Sequence, residues 1–342
     1  MTTRSSILVL YTGGTIGMIQ NAETGALQPF NFDKIYDQIP VLNRIGCDLK
    51  FHSFDPLIDS SNMHPDFWVK LVEIIDKEYH NYDGFVILHG SDTMAYTASA
   101  LSFMLENLNK PVILTGSQLP LGMIRTDGRE NFITAIEIAA SKKNGLPIIP
   151  EVAIYFENKL LRGNRTSKMN AENFNAFFSG NYPPLAEVGV HIKYNSNYIR
   201  KANSKPLIIH TNLNNKVAIL KLFPGISQMT VQAILKIPGL KAVILESFGA
   251  GNAPTDKWFL KELNDAIQDG IILVNVTQCK EGSVEIGKYE TSMNLGKIGV
   301  IGGYDITTES AIAKLMYLLG NNFTLTKTKK LLQTSLRGEL TI

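Results

Sequence analysis

This chain of 342 residues has few cysteines, almost no excess of one charge sign and no long apolar run. Its two cysteines, Cys47 and Cys279, are far apart and form no CxxC or Cys–His spacing, which argues against a disulfide framework or a zinc site and fits a reducing compartment. The 33 basic and 31 acidic residues nearly cancel to a formal charge of +2, which argues against nucleic acid as a partner. No stretch approaches the roughly 20 apolar residues of a membrane span, and the apolar run at 7–10 is too short for a signal peptide. We therefore predict a cytoplasmic protein without a membrane partner.

What the chain does contain is typical of a globular protein, with 44% hydrophobic and 19% charged residues, and its length suffices for two packed domains. Short apolar runs alternate with longer helical patterns, which indicates a repeating βα chain of the α/β class. Several runs consist almost only of Val, Ile and Leu, as expected for a parallel sheet covered on both faces. The predicted strands are 7–11, 85–88, 111–115, 152–156, 217–220, 242–246, 271–276 and 299–301. The predicted helices are 65–79, 93–107, 125–142, 230–237, 256–268 and 308–320.

One polar segment interrupts this alternation. Residues 191–206 are rich in Asn and Ser and show neither helical nor strand periodicity. We place the domain boundary there. The sequence thus predicts an N-terminal catalytic domain over 1–190, a linker over 191–206 and a C-terminal α/β domain over 207–342.

Two short polar turns follow predicted strands and carry groups suited to acyl transfer. Residues 12–17 (TGGTIG) follow the first strand, and residues 89–93 (HGSDT) follow the second. Because the carboxyl ends of parallel strands share one rim, these turns bring hydroxyls and a carboxylate together. Thr15 could act as a nucleophile there. Alternatively, Gly13-Gly14 is only a tight turn or a phosphate cradle, although neither GxGxxG nor GxxxxGK[ST] occurs in the chain.

The second turn and a third segment offer partners for such a nucleophile. Ser91 and Asp92 supply a hydroxyl next to a carboxylate, but the same residues are also typical of a simple helix N-cap. Residues 161–168, after another strand, end in Lys168, which could serve as a base. Its alternative role is that of a solvated surface charge, the usual fate of lysine.

Seven motifs, in order along nearly the whole chain, carry a family resemblance. They are YTGGTIGM (11–18), HGSDTMAYTASALSFMLENL (89–108), PVILTGSQLPL (111–121), RTDGREN (125–131), LLRGNRTSK (160–168), SFGAGNAP (247–254) and TQC (277–279). Together they resemble bacterial-type L-asparaginases, and more narrowly the cytoplasmic type I branch. The resemblance implies a two-domain fold. A larger N-terminal domain has a mostly parallel sheet with flanking helices, and a smaller C-terminal α/β domain follows.

The resemblance also implies roles for individual residues. Thr15 would attack the side-chain amide carbon of asparagine, release ammonia and leave a β-aspartyl ester for water to hydrolyse. Ser91, Lys168 and Asp92 would orient or activate that water, and Asp92 would also bind the substrate α-ammonium. Backbone N–H groups near Gly14 and Ser91 would meet the oxyanion. The expected substrate-binding residues are Gly14, Asp59, Ser60, Ser61, Asn62, Gly90, Ser91, Asp92 and Ser117. No metal or organic cofactor is implied.

Two departures from the family pattern concern the proposed catalytic group. Ser91 stands where the family usually has threonine, and we expect activity to survive because the hydroxyl is kept. The polar loop 19–29, whose composition suits either a lid or a passive surface loop, lacks the tyrosine that contacts the nucleophile in several relatives. Our hypothesis is that Tyr289 contacts Thr15 instead. The alternative is a tyrosine that merely packs in its own loop.

The leading prediction is an amidohydrolase that turns L-asparagine into L-aspartate and ammonia, assembled as a homodimer or homotetramer. A glutaminase-asparaginase is a neighbouring alternative, since the choice depends on one methylene. A tRNA amidotransferase subunit would carry an extra N-terminal domain, whereas TGGTI begins at Thr12 here. An amino-acid sensor would have lost Thr15, Asp92 or Lys168. Some type I relatives use a basic residue at a separate effector site where this chain has Glu246, so we expect allosteric activation to be weak, absent or differently built.

Overall fold

A computed structural model describes residues 4–20, 25, 27–29, 35–287 and 290–342 of the chain. The chain separates into two compact units, Met1–Ile209 and His210–Ile342. The predicted bounds of the domains and linker stay a prediction. Within the predicted linker, however, three residues form a strand that their polar surroundings did not indicate.

The first unit is built on an eight-stranded sheet. The strands of the whole unit, including those of its small two-stranded sheets, are β1 (Ser5–Tyr11), β2 (Met18–Gln20), β3 (Leu27–Pro29), β4 (Cys47–Ser53), β5 (Gly84–Leu88), β6 (Leu105–Glu106), β7 (Val112–Thr115), β8 (Lys142–Lys143), β9 (Leu146–Pro147), β10 (Val152–Phe156), β11 (Lys159–Arg162), β12 (Ser167–Lys168), β13 (Phe177–Phe178), β14 (Ala186–Val188), β15 (Ile192–Tyr194) and β16 (Ile208–Ile209). The large sheet has the order β15-β14-β11-β10-β7-β5-β1-β4. Strands β10, β7, β5, β1 and β4 run parallel, and the other three continue antiparallel. The predicted mostly parallel sheet is confirmed.

The helices of this unit are α1 (Ile35–Gln38), α2 (Pro65–Glu78), α3 (Met94–Met104) and α4 (Gly128–Ala140). Helix α2 buries one stripe, with Phe67, Leu71 and Ile75 four residues apart, and exposes its charged face. Helix α3 is buried on nearly all sides, which explains its lack of polar periodicity. The predicted helix 93–107 is too long, because residues 105–106 leave the helix to pair as β6 with β16.

The core of the first unit explains why its central strands are unbroken apolar runs. Every residue of β5 is buried, as are the last five of β1, because both strands lie inside the sheet. Ile7, Val9 and Ile113 belong to a cluster that also takes in Phe132 and Ile136 of α4. Fully burying side chains of this size is worth about 1.5–3 kcal/mol each. The strand ends are thereby held rigidly.

The second unit has a smaller, four-stranded parallel sheet. Its strands are β17 (Val217–Lys221), β18 (Ala242–Ser247), β19 (Ile272–Thr277) and β20 (Ile301–Gly302), paired in that order. Its helices are α5 (Gln228–Leu235), α6 (Lys257–Gln268), α7 (Glu290–Ile298), α8 (Thr308–Gly320) and α9 (Leu325–Leu332). Hydroxyls cap three of them: Ser227, Thr307 and Thr324 each accept a hydrogen bond from a first-turn amide. The predicted smaller α/β domain is confirmed. Among the described residues, no helix is long and apolar enough to cross a membrane.

Candidate active site

Four neighbouring strands of the large sheet end at the same level. Tyr11 at the end of β1 is paired with Ser53 of β4 and Leu88 of β5, and Leu88 is paired with Thr115 of β7. The segments that follow these strands therefore start side by side at one rim. This is the part of an open α/β sheet where ligands bind.

Glycines allow three of these turns to approach one another closely. Gly14 has φ 90°, and a Cβ placed on it would lie 2.5 Å from both N and Cα of Gly90. A Cβ on Gly90 would in turn lie 2.5 Å from Oγ of Ser60. The Ile58 amide, just before the third turn, donates to the carbonyl of Thr12 at 2.8 Å. A larger residue at Gly14 or Gly90 would push the turns apart, because each contact is with backbone or a buried side chain.

Thr15 begins a single 3-10 turn that ends at Gly17. Below this turn Tyr11 donates its buried hydroxyl to the Gly17 carbonyl at 3.0 Å. Burial raises the pKa of Tyr11, so it stays a proton donor at neutral pH. The Thr15 side chain is half-buried, and no hydrogen bond to a described residue occupies its hydroxyl. That hydroxyl can therefore meet a ligand.

Ser91 and Asp92 meet Lys168, 77 and 76 residues further along the chain. The ammonium Nζ of Lys168 lies 2.9 Å from Ser91 Oγ and 2.7 Å from Asp92 Oδ1. The Lys168 side chain is 19% exposed, and that of Asp92 is 64% exposed. Helix α3 takes Thr93 as its N-cap residue, and the Thr93 hydroxyl donates to the Ser60 carbonyl at 2.7 Å. Ser91 and Asp92 thus contact the lysine, and Lys168 is not a solvated surface charge.

A buried ion pair anchors the segment that carries Lys168. Arg162, at the end of β11, donates through Nε to Glu151 at 2.6 Å, and both side chains are nearly inaccessible. Thr166 donates back to the Arg162 carbonyl at 2.7 Å. Lys168 itself lies in β12, paired with Phe177 of β13. These contacts limit where the ammonium group can go.

The loop predicted to hold the substrate carboxylate forms a short 3-10 turn, Ser60–Asn62. Asp59 accepts hydrogen bonds from the hydroxyl of Ser61 at 2.7 Å and from its amide at 2.8 Å. These bonds lower the pKa of Asp59, so it is ionised at neutral pH. Ser60 is buried, whereas Ser61 and Asn62 are exposed. The Ser61 donors are directed at Asp59 in this structure.

A set of hydrogen bonds that supports the turn at Ser117 was not predicted from the sequence. Ser117 is buried and donates to the Leu119 carbonyl at 2.6 Å. The Asp127 carboxylate accepts from the amides of Gln118 at 3.0 Å and Leu119 at 3.1 Å, and Asn131 donates to the carbonyl just before Ser117. Both Asp127 and Asn131 belong to the RTDGREN motif, which signalled their importance without indicating this task. The role of Ser117 in substrate binding stays a prediction.

Two predicted features fall wholly or partly outside the described residues. Tyr289 lies there, so its contact with Thr15 stays a prediction. Of the loop 19–29, residues 21–24 and 26 lie there too, and the described ends pair as the antiparallel strands β2 and β3. In the described part of the chain, no three His, Cys, Asp or Glu side chains come together as a metal site.

This chain is similar to known proteins along nearly its whole length. The N-terminal asparaginase family model matches residues 6–200, and the C-terminal glutaminase/asparaginase model matches residues 216–332. The chain belongs to the asparaginase family. It is 46% identical over 347 residues to L-asparaginase 1 of Escherichia coli (strain K12), a match that covers 99% of this chain and 98% of that protein. The resemblance inferred from the motifs is confirmed, and with it the enzyme class, amidohydrolase.

Two further matches extend the family relationship. The crystal structure of L-asparaginase I from Vibrio cholerae O1 superposes with a TM-score of 0.90 at 42% identity, covering 99% of this chain and 100% of that one. A 60 kDa lysophospholipase of Mus musculus is 42% identical, over 98% of this chain but only 62% of its own length. The asparaginase fold thus covers nearly all of this chain.

Proposed function

We propose that this protein hydrolyses L-asparagine to L-aspartate and ammonia, with Thr15 as the nucleophile. The observation that carries the proposal is the Ser91–Lys168–Asp92 group, held beside the Thr15 turn by the contact of Gly14 with Gly90. The similarity to L-asparaginase 1 supports the choice of substrate.

In the first half of the proposed reaction, Thr15 Oγ forms a bond to the side-chain amide carbon. The hydroxyl proton is transferred to the departing nitrogen, the C–N bond breaks, and ammonia leaves a β-aspartyl ester on Thr15. Tyr289 is the proposed partner that activates the hydroxyl. The amide of Ser91, which no hydrogen bond to a described residue occupies, supports its proposed role as an oxyanion donor, together with Gly14.

In the second half, water adds to the ester carbon and Thr15 leaves as the alcohol. Ser91 orients that water, Lys168 gives a proton to the departing Thr15 oxygen and takes one from the water, and Asp92 holds the lysine. Asp92 is exposed enough to bind the substrate α-ammonium as well. We propose Asp59, Ser60, Ser61 and Asn62 for the α-carboxylate. Gly90 and Ser117 complete the proposed pocket.

We also propose a homodimer or homotetramer in the cytoplasm, without metal or organic cofactor. Both cysteines are free thiols, which supports a reducing compartment. Glutamine, one methylene longer, would be a poorer substrate by about 1–3 kcal/mol in the transition state.

Ammonia release from L-asparagine and from L-glutamine tests the proposal, with Thr15→Val and Thr15→Ser beside the wild type. Thr15→Val should lose about a thousandfold or more of the asparagine turnover, and Thr15→Ser should keep part of it. Acid quenching during turnover should trap an aspartyl ester on a peptide that contains Thr15. Undiminished turnover in folded Thr15→Val would rule out this nucleophile. A folded wild type that hydrolyses neither amide would rule out the function.

A further inference from the structure

The proposed mechanism leaves one titratable group at the rim without a task. His89 is completely buried, directly before Gly90. Its Nδ1 lies 2.7 Å from the Gly90 carbonyl, and its Nε2 lies 2.9 Å from Oγ of Thr97. Trp68 of α2 contacts the same Thr97 oxygen from Nε1 at 3.0 Å. Three side chains from three elements therefore form one buried chain of hydrogen bonds.

The chemistry of the two ends sets the direction of every bond. The indole of Trp68 can only donate, so Thr97 Oγ accepts from it and is left with its own hydroxyl proton to give. The Gly90 carbonyl can only accept, so Nδ1 of His89 carries a proton. Burial lowers the pKa of His89 to about 4, against the opposing effect of the Gly90 bond, and the ring is neutral at neutral pH. Nε2 is then unprotonated and accepts from Thr97.

This series of hydrogen bonds ends at the peptide bond between Gly90 and Ser91. That peptide is trans, so its C=O and N–H lie in one plane and point in opposite directions. Fixing the carbonyl toward the His89 ring therefore turns the Ser91 N–H away from it. Gly14 packs against the N and Cα of Gly90, so it restrains the preceding peptide, which meets the Gly90–Ser91 peptide at that Cα.

We propose that His89 is a positioning residue that orients the Gly90–Ser91 peptide and so holds the Ser91 amide ready as an oxyanion donor. This inference rests on the proposed function. Thr97 and Trp68 act behind His89 by fixing the Nδ1–H tautomer. A preorganised donor is worth most where charge develops in the transition state, so His89 acts on kcat rather than on substrate binding.

The tautomer can be measured without any turnover. Nitrogen-15 NMR of the wild type at pH 7 should show His89 protonated at Nδ1 and unprotonated at Nε2. Thr97→Val, which removes the hydroxyl that donates to Nε2, should shift the Nε2 resonance and broaden the Ser91 amide signal. A His89 ring protonated at Nε2 would overturn the proposal, whatever the activity of the enzyme.

Kinetics then separate positioning from packing. His89→Leu, which removes the donor to Gly90, should lower kcat for asparagine by about 10- to 100-fold and change KM by less than about threefold. His89→Asn, whose Nδ2 replaces Nδ1 as a donor, should recover at least part of the lost kcat. The matched control is His191→Leu, at an exposed histidine outside the site, which should leave kcat unchanged.

If His89→Leu does not fold, Thr97→Val decides the question, with about a three- to tenfold loss of kcat expected. Wild-type kcat in folded Thr97→Val, or in folded His89→Leu, would overturn the proposal. A wild type inactive on both amides would sink the proposed function instead. The tautomer and the Ser91 amide signal would then still decide whether His89 orients this peptide.

Discussion

Two lysine–carboxylate pairs, one in each unit, have almost the same length and opposite settings. Lys168 lies 2.7 Å from Asp92, with side chains 19% and 64% exposed. Lys314 lies 2.6 Å from Glu339, and both side chains are fully buried. Distance alone therefore says nothing about what such a pair does.

The two pairs differ in how completely their hydrogen bonds are used. Lys314 also donates to the carbonyls of Leu332 and Thr334, which accounts for all three ammonium protons. Glu339 accepts from the amides of Leu336 and Arg337 as well. This pair fixes the C-terminal segment to helix α8, and a ligand could only disrupt its contacts.

Lys168, by contrast, donates to Ser91 and to the Asp92 carboxylate, which water can reach. Solvent screening makes an exposed pair of this kind worth only about 0–1 kcal/mol in stability. We therefore expect its value to lie in what it offers a substrate. If Lys168 acts as we propose, incomplete hydrogen bonding, rather than the ion pair itself, distinguishes a reactive group from a structural one.

The largest expected effect is on the turnover of Lys168→Met. Loss of the group that we propose to exchange protons with the attacking water should lower kcat by about 10²–10⁴-fold. The free energy of unfolding should change by less than about 1 kcal/mol, since the pair is partly exposed. Ammonia release and urea unfolding measure the two quantities. A variant within threefold of wild-type kcat would break the comparison.

Lys314→Met should show the reverse pattern. Glu339 would keep a buried charge without its partner, which should lower the free energy of unfolding by about 3–5 kcal/mol. Turnover per folded molecule should stay unchanged. The double variant Lys314→Met/Glu339→Leu should recover much of the lost stability, because no unpaired charge remains buried. Urea unfolding checks both variants. A single variant as stable as the wild type would contradict the stabilising role of the pair.

Acid should destabilise the candidate site through His89. Its folded pKa of about 4 lies below the ordinary 6.5, so the unfolded chain binds a proton more readily between these values. The contribution of neutral His89 is therefore complete above pH 6.5, and about 3 kcal/mol is lost as the pH falls through 4. The difference in unfolding free energy between the wild type and His89→Asn should shrink by this order between pH 7 and pH 4. A constant difference would show that His89 titrates normally.

The smallest effect is expected for Ser91→Thr. The hydroxyl that contacts Lys168 is kept, and the added methyl only restricts rotation about the Cα–Cβ bond. We expect kcat to stay within about threefold of the wild type and stability within about 0.5 kcal/mol. Steady-state ammonia release and thermal unfolding are sufficient measurements. A tenfold change would mean that the rotamer of residue 91 limits the reaction.

Much of the fold was predictable because it depends on local patterns. The apolar runs at 7–11 and 85–88 are buried inside a sheet, and such strands must be apolar on both faces. The edge strand β15 was not predictable, because a three-residue strand in polar surroundings has no periodicity of its own. Helix α3 ended early for a similar reason, since pairing with β16, about a hundred residues away, outweighed its helical pattern.

By itself the sequence determined the strands, the turns that follow them and the family to which they belong, because apolar runs and glycine-rich motifs are local. Only the tertiary structure decided that four strands end level, that Gly14 touches Gly90, and that Lys168 reaches Ser91. It alone revealed the chain from Trp68 to the Gly90 carbonyl and the buried pair of Lys314 and Glu339. These contacts join residues distant in sequence, and the packing of whole elements, which no local pattern encodes, sets their distances.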